Sequence, residues 1–174
     1  MSIYEKKAIL SKELLAFMYG SLVVRLTKDI EDPIDINKKV EEIGYNIGKR
    51  LIDEIIDVLG KDVDTLNQDL VSKLMKILFK NYLGINLEIK QFNEKEQGII
   101  FPENPFNSFV ELPEKLKDLW YSNIFCGIIR GLLEAANIQV ECTYVKDKLR
   151  GDDTNEIKIK IIQFIEERFV DDEE

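Results

Sequence analysis

Long stretches of the chain place apolar residues three or four positions apart, the spacing that gathers them on one face of an α-helix. The first stretch runs from about Lys7 to Asp29, and its middle, Leu14 to Val24, is apolar nearly all the way round. A helix of that kind is expected to lie deep inside a fold or an assembly. A second helix is predicted from about Ile36 to Leu59, with Gly60 ending it.

Two further helices follow from the same spacing. Thr65 and Gln68 have the spacing of a capping box, which begins a third helix that continues to about Tyr82. A fourth helix is predicted from about Lys115 to Ala136, and its middle, Leu119 to Ile129, is again almost wholly apolar. We expect this fourth helix and the first to be the central helices of the protein.

Elsewhere the apolar spacing drops to two residues, which is typical of β-strands. Two short strands are expected between Ile85 and Pro113, and Val140–Tyr144 with Ile157–Ile161 is expected to form a β-hairpin. Three helices, two strands, one helix and two strands predict an α+β domain with helices on one face of a small antiparallel sheet. With no linker or repeat, residues 1–174 are predicted to be a single domain.

The charge of the chain argues against polyanionic partners. There are 24 Lys and Arg against 33 Asp and Glu, a net charge of −9. Such a chain lacks the basic field that attracts nucleic acid or an anionic membrane. Its end, residues 169–174, forms an acidic tail that is either a solubilising segment or an interaction arm, made of Phe169, Val170, Asp171, Asp172, Glu173 and Glu174.

The sequence has no histidine, which removes the commonest catalytic base and the usual nitrogen ligand for zinc or haem. Nucleophile candidates therefore have no partner to activate them, and no catalytic residue is expected. Cys126 and Cys142 are far apart in sequence and lack metal-ligand spacing, so we interpret both as buried thiols and expect no metal site.

The beginning of the chain does not look like a secretion signal. Met1 to Ile9 includes Glu5, Lys6 and Lys7 where a signal peptide needs apolar residues. Uncharged runs such as Leu14–Val24 are well short of the roughly 20 residues that span a bilayer. A cytosolic protein with at most peripheral membrane contact is expected.

Glycines recur one helical turn apart inside two of the predicted helices. They either permit close helix packing or leave room for a ligand channel or a partner's helix, and the sequence does not choose between these roles. Arginines beside them are expected to need a carboxylate or carbonyl partner. The residues are Gly44, Gly48 and Arg50 on the second helix and Gly127, Arg130 and Gly131 on the fourth.

Several motifs, taken together, resemble one family. The segment Tyr121–Gly131 (YSNIFCGIIRG), which includes Cys126, resembles the signature of the small transport protein particle (TRAPP) subunit numbered three. Further stretches resemble the same family in the same order: Gly44–Leu51 (GYNIGKRL), Tyr82–Ile85 (YLGI), Asn104–Pro113 (NPFNSFVELP), Leu149–Asp152 (LRGD) and Glu156–Ile157.

The resemblance implies an α+β subunit that dimerises with itself or with related small subunits inside a tethering complex. That complex acts between endoplasmic reticulum and Golgi and promotes nucleotide exchange on a Rab-type GTPase. In the family this subunit contributes its C-terminal tail to the GTPase contact, which here corresponds to Phe169–Glu174. The expected location is cytoplasmic, peripheral at the cis-Golgi and the endoplasmic reticulum.

The resemblance also implies an apolar tunnel that holds a fatty acyl chain. In the family this chain is attached to a cysteine just before the third helix. Counting back from Tyr82–Ile85, the position of that cysteine falls near Asp64, whose carboxylate cannot form a thioester. No acylation site is therefore expected, although a non-covalent fatty acyl ligand or side chains could fill the tunnel. A lipid-binding module is accordingly the alternative function.

Overall fold

The computed structural model describes residues 11–59 and 66–165. Within these ranges four α-helices and four β-strands follow one another along the chain. The helices are α1 (Lys12–Asp29), α2 (Pro33–Leu59), α3 (Gln68–Leu78) and α4 (Ile124–Ala135), and the strands are β1 (Glu88–Gln91), β2 (Glu96–Phe101), β3 (Ile138–Lys146) and β4 (Asn155–Phe164).

The strands form one antiparallel sheet in the order β1-β2-β4-β3. Alternate side chains of β4, including Ile157 and Ile159, are fully buried on the face that the helices cover. Lys158 and Lys160 point the other way and pair with Glu96 and Glu141 across the sheet. The predicted α+β architecture is thus confirmed.

The third helix begins later than the sequence predicts. Asn67 is its N-cap, and the Asn67 side chain accepts a hydrogen bond of 2.9 Å from the backbone N–H of Leu70. Thr65, expected in a capping box, and Gly60, expected to end α2, lie outside the described residues. After Leu78 the helix continues as a π-helical turn, Phe79–Leu83, which ends at Gly84 with φ 68°.

The fourth helix is shorter than predicted, because it begins at Ile124 rather than near Lys115. Its expected first turns are a short 3-10 turn, Glu114–Leu116, followed by irregular backbone. There the backbone N–H of Trp120 donates to the side chain of Asn37 on α2 at 2.8 Å. The Trp120 N–H therefore bonds to a distant part of the chain instead of forming a hydrogen bond within a helix.

Aromatic side chains fill the space between the helices and the sheet. Ring centroids are 5.3 Å apart for Phe79 and Phe101, 5.5 Å for Phe79 and Phe125, and 5.1 Å for Phe125 and Phe106. Tyr19 of α1 extends the line, 4.3 Å from Phe106. These tilted ring contacts bury large apolar areas.

α1 is not the central helix that its apolar composition predicts. Its buried residues are Ala16, Tyr19 and Val23, and three half-buried leucines pack beside them, Leu15, Leu22 and Leu26. Other apolar side chains of the helix are exposed. Phe17 is 73% exposed and Met18 57%. The expectation that α1 is a central helix was wrong for the isolated chain, because only one face of the helix packs against the core. No helix of the described residues is long and apolar enough to cross a membrane.

Candidate interaction site beside the first helix

An apolar groove lies between α1 and the segment that runs from residue 109 to residue 121. Its volume is about 1080 Å³. The apolar side chains that shape it come from both walls and include Phe17, Val24, Phe109, Leu112 and Leu119. Phe109 and Phe17 are the most exposed of these side chains, at 72% and 73%.

A buried polar network holds the second wall of the groove in place. Asn104 donates to the Ser122 hydroxyl at 2.8 Å, and that hydroxyl donates to the side-chain carbonyl of Asn107 at 2.9 Å. Asn107 in turn donates to Asp147 at 2.8 Å. The network ties the segment before Phe109 to the start of α4 and to the β3–β4 loop, so it positions the wall.

Asp147 is the charged member of this network. Its Oδ1 also accepts from the backbone N–H of Leu149 at 3.0 Å, whereas its Oδ2 is buried without a hydrogen-bond partner in the described part of the chain. Burial raises the pKa of the Asp147 carboxyl above its usual 3.8. Nearby, Arg150 lies over the Trp120 ring at 4.1 Å, which closes the loop against the body of the protein.

Tyr121 forms the floor of the groove and is 4% exposed. Its backbone carbonyl accepts a hydrogen bond from the Tyr19 hydroxyl. The Tyr121 hydroxyl itself has no hydrogen-bond partner in the residues that the structure describes, and burial raises its pKa. It lies beside Gly20, where the methyl group of an alanine would stand 3.3 Å from the hydroxyl oxygen.

The four glycines of the sequence motifs lie where α2 and α4 touch. A Cβ at Gly44 or Gly48 would strike the backbone carbonyl of Ile124 or Ile128 on α4. The α4 glycines face α2 in the same way, Gly127 against Glu41 and Gly131 against Tyr45. These positions therefore hold two backbones together and leave no room between them for a channel.

The two arginines of the motifs have different surroundings. Arg130 lies 3.3 Å from a carboxylate oxygen of Glu41 and 5.1 Å from the centre of the Tyr45 ring. Tyr45 donates to Glu134 at 2.7 Å, so the cluster joins α2 to α4. Arg50 is exposed and has no ion pair with any described residue, so the expected partner is missing, because its position faces solvent.

The surroundings of both cysteines disfavour the reactive thiolate form. Cys126 on α4 is fully buried, Cys142 on β3 is partly buried, and burial raises the pKa of both thiols. Among the described residues no cluster of acidic or cysteine side chains could hold a metal ion. Asp64 and the tail Phe169–Glu174 lie outside the described residues.

The sequence reasoning missed the groove. The signal was present in the first helix, whose middle is apolar all round and needs more partners than a small domain supplies. Phe109 lies within the NPFNSFVELP motif, but nothing in the spacing of that motif shows that the ring stands in solvent.

The chain matches known proteins in both sequence and fold. The profile of a family described as "Transport protein particle (TRAPP) component" matches residues 15–160. The chain belongs to this TRAPP component family. It is 40% identical over 162 residues to "Trafficking protein particle complex subunit 3" of Dictyostelium discoideum, covering 90% of this chain and 86% of the relative.

A second TRAPP relative is "Trafficking protein particle complex subunit BET3" of Saccharomyces cerevisiae. It is 36% identical over 165 residues, which cover 91% of this chain and 84% of that protein. The fold agrees with a crystal structure of a trafficking protein particle complex subunit 3 from Naegleria fowleri covalently bound to palmitic acid. The TM-score is 0.84 at 43% identity, over 90% of this chain and 98% of the other.

Proposed function

We propose that this chain is a structural subunit of a TRAPP vesicle-tethering complex that acts in transport between endoplasmic reticulum and Golgi. It works from the cytoplasmic side, peripherally at those membranes. The observation that carries the proposal is the exposed apolar surface formed by α1 and Phe109. We call it the α1 surface and define it by Leu14, Phe17, Met18, Val24 and Phe109.

The α1 surface has the character of a subunit contact. Its large apolar side chains are each 47% to 73% exposed. All of them except Met18 line the groove, whose lining is mainly apolar. Soluble monomers rarely keep such a patch open to water, and patches of this kind mark interaction sites. Aromatic and Met side chains are also enriched in the buried centres of protein interfaces. The partners proposed for this surface are small TRAPP subunits.

The role is structural because the polar groups of the family motifs are engaged in holding the fold. Asn104, Asn107 and Ser122 bond one another, and Arg130 bonds Glu41. The proposed exchange activity therefore belongs to the assembled complex, with a Rab-type GTPase as its substrate, and not to a catalytic residue of this chain.

Affinity purification tests the subunit role. An N-terminally tagged chain from its native cells is expected to recover several other small subunits in near-equal amounts by mass spectrometry. Phe17→Asp should reduce that recovery at least tenfold, because a buried unpaired carboxylate opposes association. Thr143→Asp, on the exposed face of β3, is the control and should recover the same subunits as the unchanged chain. Equal recovery with Phe17→Asp would refute the α1 surface as the contact.

The acidic tail is proposed to contact the GTPase. Asp171, Asp172, Glu173 and Glu174 carry four negative charges that can compete with nucleotide phosphates and magnesium. Deleting Val170–Glu174 is expected to leave assembly intact and to slow nucleotide release by the reconstituted complex. Unchanged exchange after this deletion would remove the tail from the mechanism.

A second candidate function is a fatty acyl-binding module. The observation that favours it is the Naegleria fowleri relative, whose crystal structure contains covalently bound palmitic acid. The residues of this chain do not fit the covalent form, because the corresponding position is near Asp64 and both cysteines lie elsewhere. Aromatic rings also occupy the space between the helices and the sheet. The ligand proposed is therefore a non-covalent fatty acyl chain.

Two mass measurements separate the candidates. The intact protein from native cells should have its unmodified mass, because a carboxylate cannot carry a thioester. Extraction with organic solvent tests the non-covalent ligand, and fatty acid in near-equal amount to protein would support the module. Neither an adduct nor extractable lipid, together with recovery of sister subunits, would leave the structural role as the function.

A further inference from the structure

A second, smaller pocket lies where the start of α1, the segment that follows β2 and the connection between β3 and β4 come together. Its volume is about 290 Å³. Pockets for drug-sized ligands begin at about 300 Å³, so this one fits a small molecule. Part of the lining is apolar and includes Ile85. The polar part includes two lysines, Lys12 and Lys148, and two buried asparagines, Asn104 and Asn155.

The two asparagines offer hydrogen-bond donors from the buried side of the pocket. Asn155 is fully buried, and its side-chain amide donates to the backbone carbonyl of Phe101 at 3.0 Å. Asn104 is 7% exposed and donates to the Ser122 hydroxyl at 2.8 Å. An asparagine amide nitrogen carries two hydrogens, and in both residues the second hydrogen has no acceptor among the described residues. Acceptor oxygens of a ligand can take these two hydrogens.

The charges beside these donors favour an anion. Lys148 forms no ion pair with any described residue, and its ammonium donates to the backbone carbonyl of Pro102 at 3.3 Å. Lys12 lies 3.9 Å from a carboxylate oxygen of Glu103, which also lines the pocket. Two lysines against one glutamate give the lining a net charge of +1, whereas the whole chain carries −9. A local positive charge on an acidic protein concentrates anions there.

The number and kind of these groups suit a phosphate. A phosphate monoester carries a charge of roughly −1.5 to −2 and three strong acceptor oxygens. It can therefore engage two ammonium groups and two amide hydrogens at once. A carboxylate has a single charge and two oxygens, so it matches the same set of groups less well.

We infer that this pocket binds a phosphate monoester, held by the ammonium groups of Lys12 and Lys148 and by the second amide hydrogens of Asn104 and Asn155. The apolar lining beside Ile85 receives the carbon atoms of the ester. The ligand links the first residue of α1 to the connection between β3 and β4. The inference goes beyond the proposed subunit role and does not depend on it.

Titration of the full chain with glycerol 3-phosphate, followed by NMR of the amide groups, tests the site. Glycerol is the matched control, because it lacks only the phosphate. The side-chain amide signals of Asn104 and Asn155 are expected to shift saturably with glycerol 3-phosphate and not with glycerol. Binding should weaken as sodium chloride is added, because salt screens exposed lysines. The absence of a saturable shift at both amides would overturn the inference.

Charge substitutions show whether binding depends on this pocket. Lys148→Met should weaken glycerol 3-phosphate binding about fivefold, whereas Lys148→Arg keeps the charge and should retain binding. Glu103→Gln removes the opposing carboxylate and should strengthen binding about threefold. Lys146→Met is the control, because Lys146 does not line the pocket and pairs with Asp153 at 3.5 Å. Equal weakening by Lys148→Met and Lys146→Met would show a response to overall charge alone and would overturn the site.

Vesicles distinguish the two sources of a phosphate monoester, a soluble compound and a phospholipid headgroup. Phosphatidic acid carries a monoester and phosphatidylglycerol a diester, so phosphatidylcholine vesicles containing equal molar fractions of one or the other are compared by flotation. A preference for phosphatidic acid that Lys148→Met abolishes would support the headgroup. Binding of glycerol 3-phosphate without that preference would support a soluble ligand. Binding of neither would overturn the inference and leave the subunit role as proposed.

Discussion

Gly131 on α4 lies directly against the backbone carbonyl of Tyr45 on α2, and no side chain separates the two helices there. Gly48 and Gly127 make the same kind of contact one turn away on each helix. The Tyr45 ring then reaches across to Arg130 and Glu134. The closest helix pair of the protein is thus held by backbone contact and a polar cluster at its edge.

Gly131→Ala is expected to lower the free energy of unfolding by about 3 kcal/mol, because the new methyl group would overlap a backbone that cannot rotate away. Urea unfolding followed by circular dichroism measures the loss. Asn46→Ala, at an exposed position of α2, is the control and should change stability by less than about 0.5 kcal/mol. A similar small change for Gly131→Ala would contradict the close approach.

Arg130→Met is expected to cost about 1 kcal/mol, since it removes a partly exposed ion pair to Glu41 and the contact with the Tyr45 ring. A double-mutant cycle with Glu41→Gln should give a coupling energy of about 0.5 kcal/mol. Arg50→Met, at the exposed arginine, should leave stability unchanged. Equal losses at Arg130 and Arg50 would show that the ion pair contributes nothing.

Asp147→Asn should alter how stability depends on pH. Burial raises the pKa of Asp147 in the folded protein, so its favourable contribution is complete below the unfolded pKa and is lost as pH rises through the folded value. The asparagine does not titrate. The unfolding free energy of Asp147→Asn minus that of the unchanged chain should therefore increase from about pH 3 to pH 7.

Urea midpoints at several pH values check this dependence. Asp153→Asn, at an exposed position of the same loop, serves as the control, and its stability difference should vary less with pH. If the difference for Asp147→Asn falls as pH rises, the carboxyl is stabilised as an anion and the effect assigned to burial is wrong.

Phe79→Ala is expected to cost about 4 kcal/mol, because the ring is fully buried between Phe101 and Phe125 and its loss leaves a cavity. Phe79→Leu keeps most of the volume and should cost less than about 2 kcal/mol. Phe92, which is 43% exposed on the sheet, gives a control in Phe92→Ala with a loss under about 1 kcal/mol. Thermal or urea unfolding measures each. Equal losses at Phe79 and Phe92 would contradict a filled core.

The spacing of apolar residues predicted helices and strands correctly wherever that spacing alone decides which side chains are buried. The alternation of Ile157, Ile159 and Ile161 with lysines predicted β4, and these isoleucines are buried as that alternation requires. It failed at the start of α4, where the apolar stretch from Leu119 continues the helical spacing but Trp120 bonds to Asn37 instead. That competing acceptor is 83 residues away along the chain.

The sequence by itself determined the α+β class, the family motifs and the lack of a histidine-based active site, because each depends on residue types and short spacings. Only the tertiary structure decided what those residues touch. It put Gly44 and Gly131 against the opposite helix, left Arg50 in solvent, and opened a groove between α1 and Phe109. A spacing fixes which residues share a face, whereas the neighbour of that face depends on how distant segments pack together.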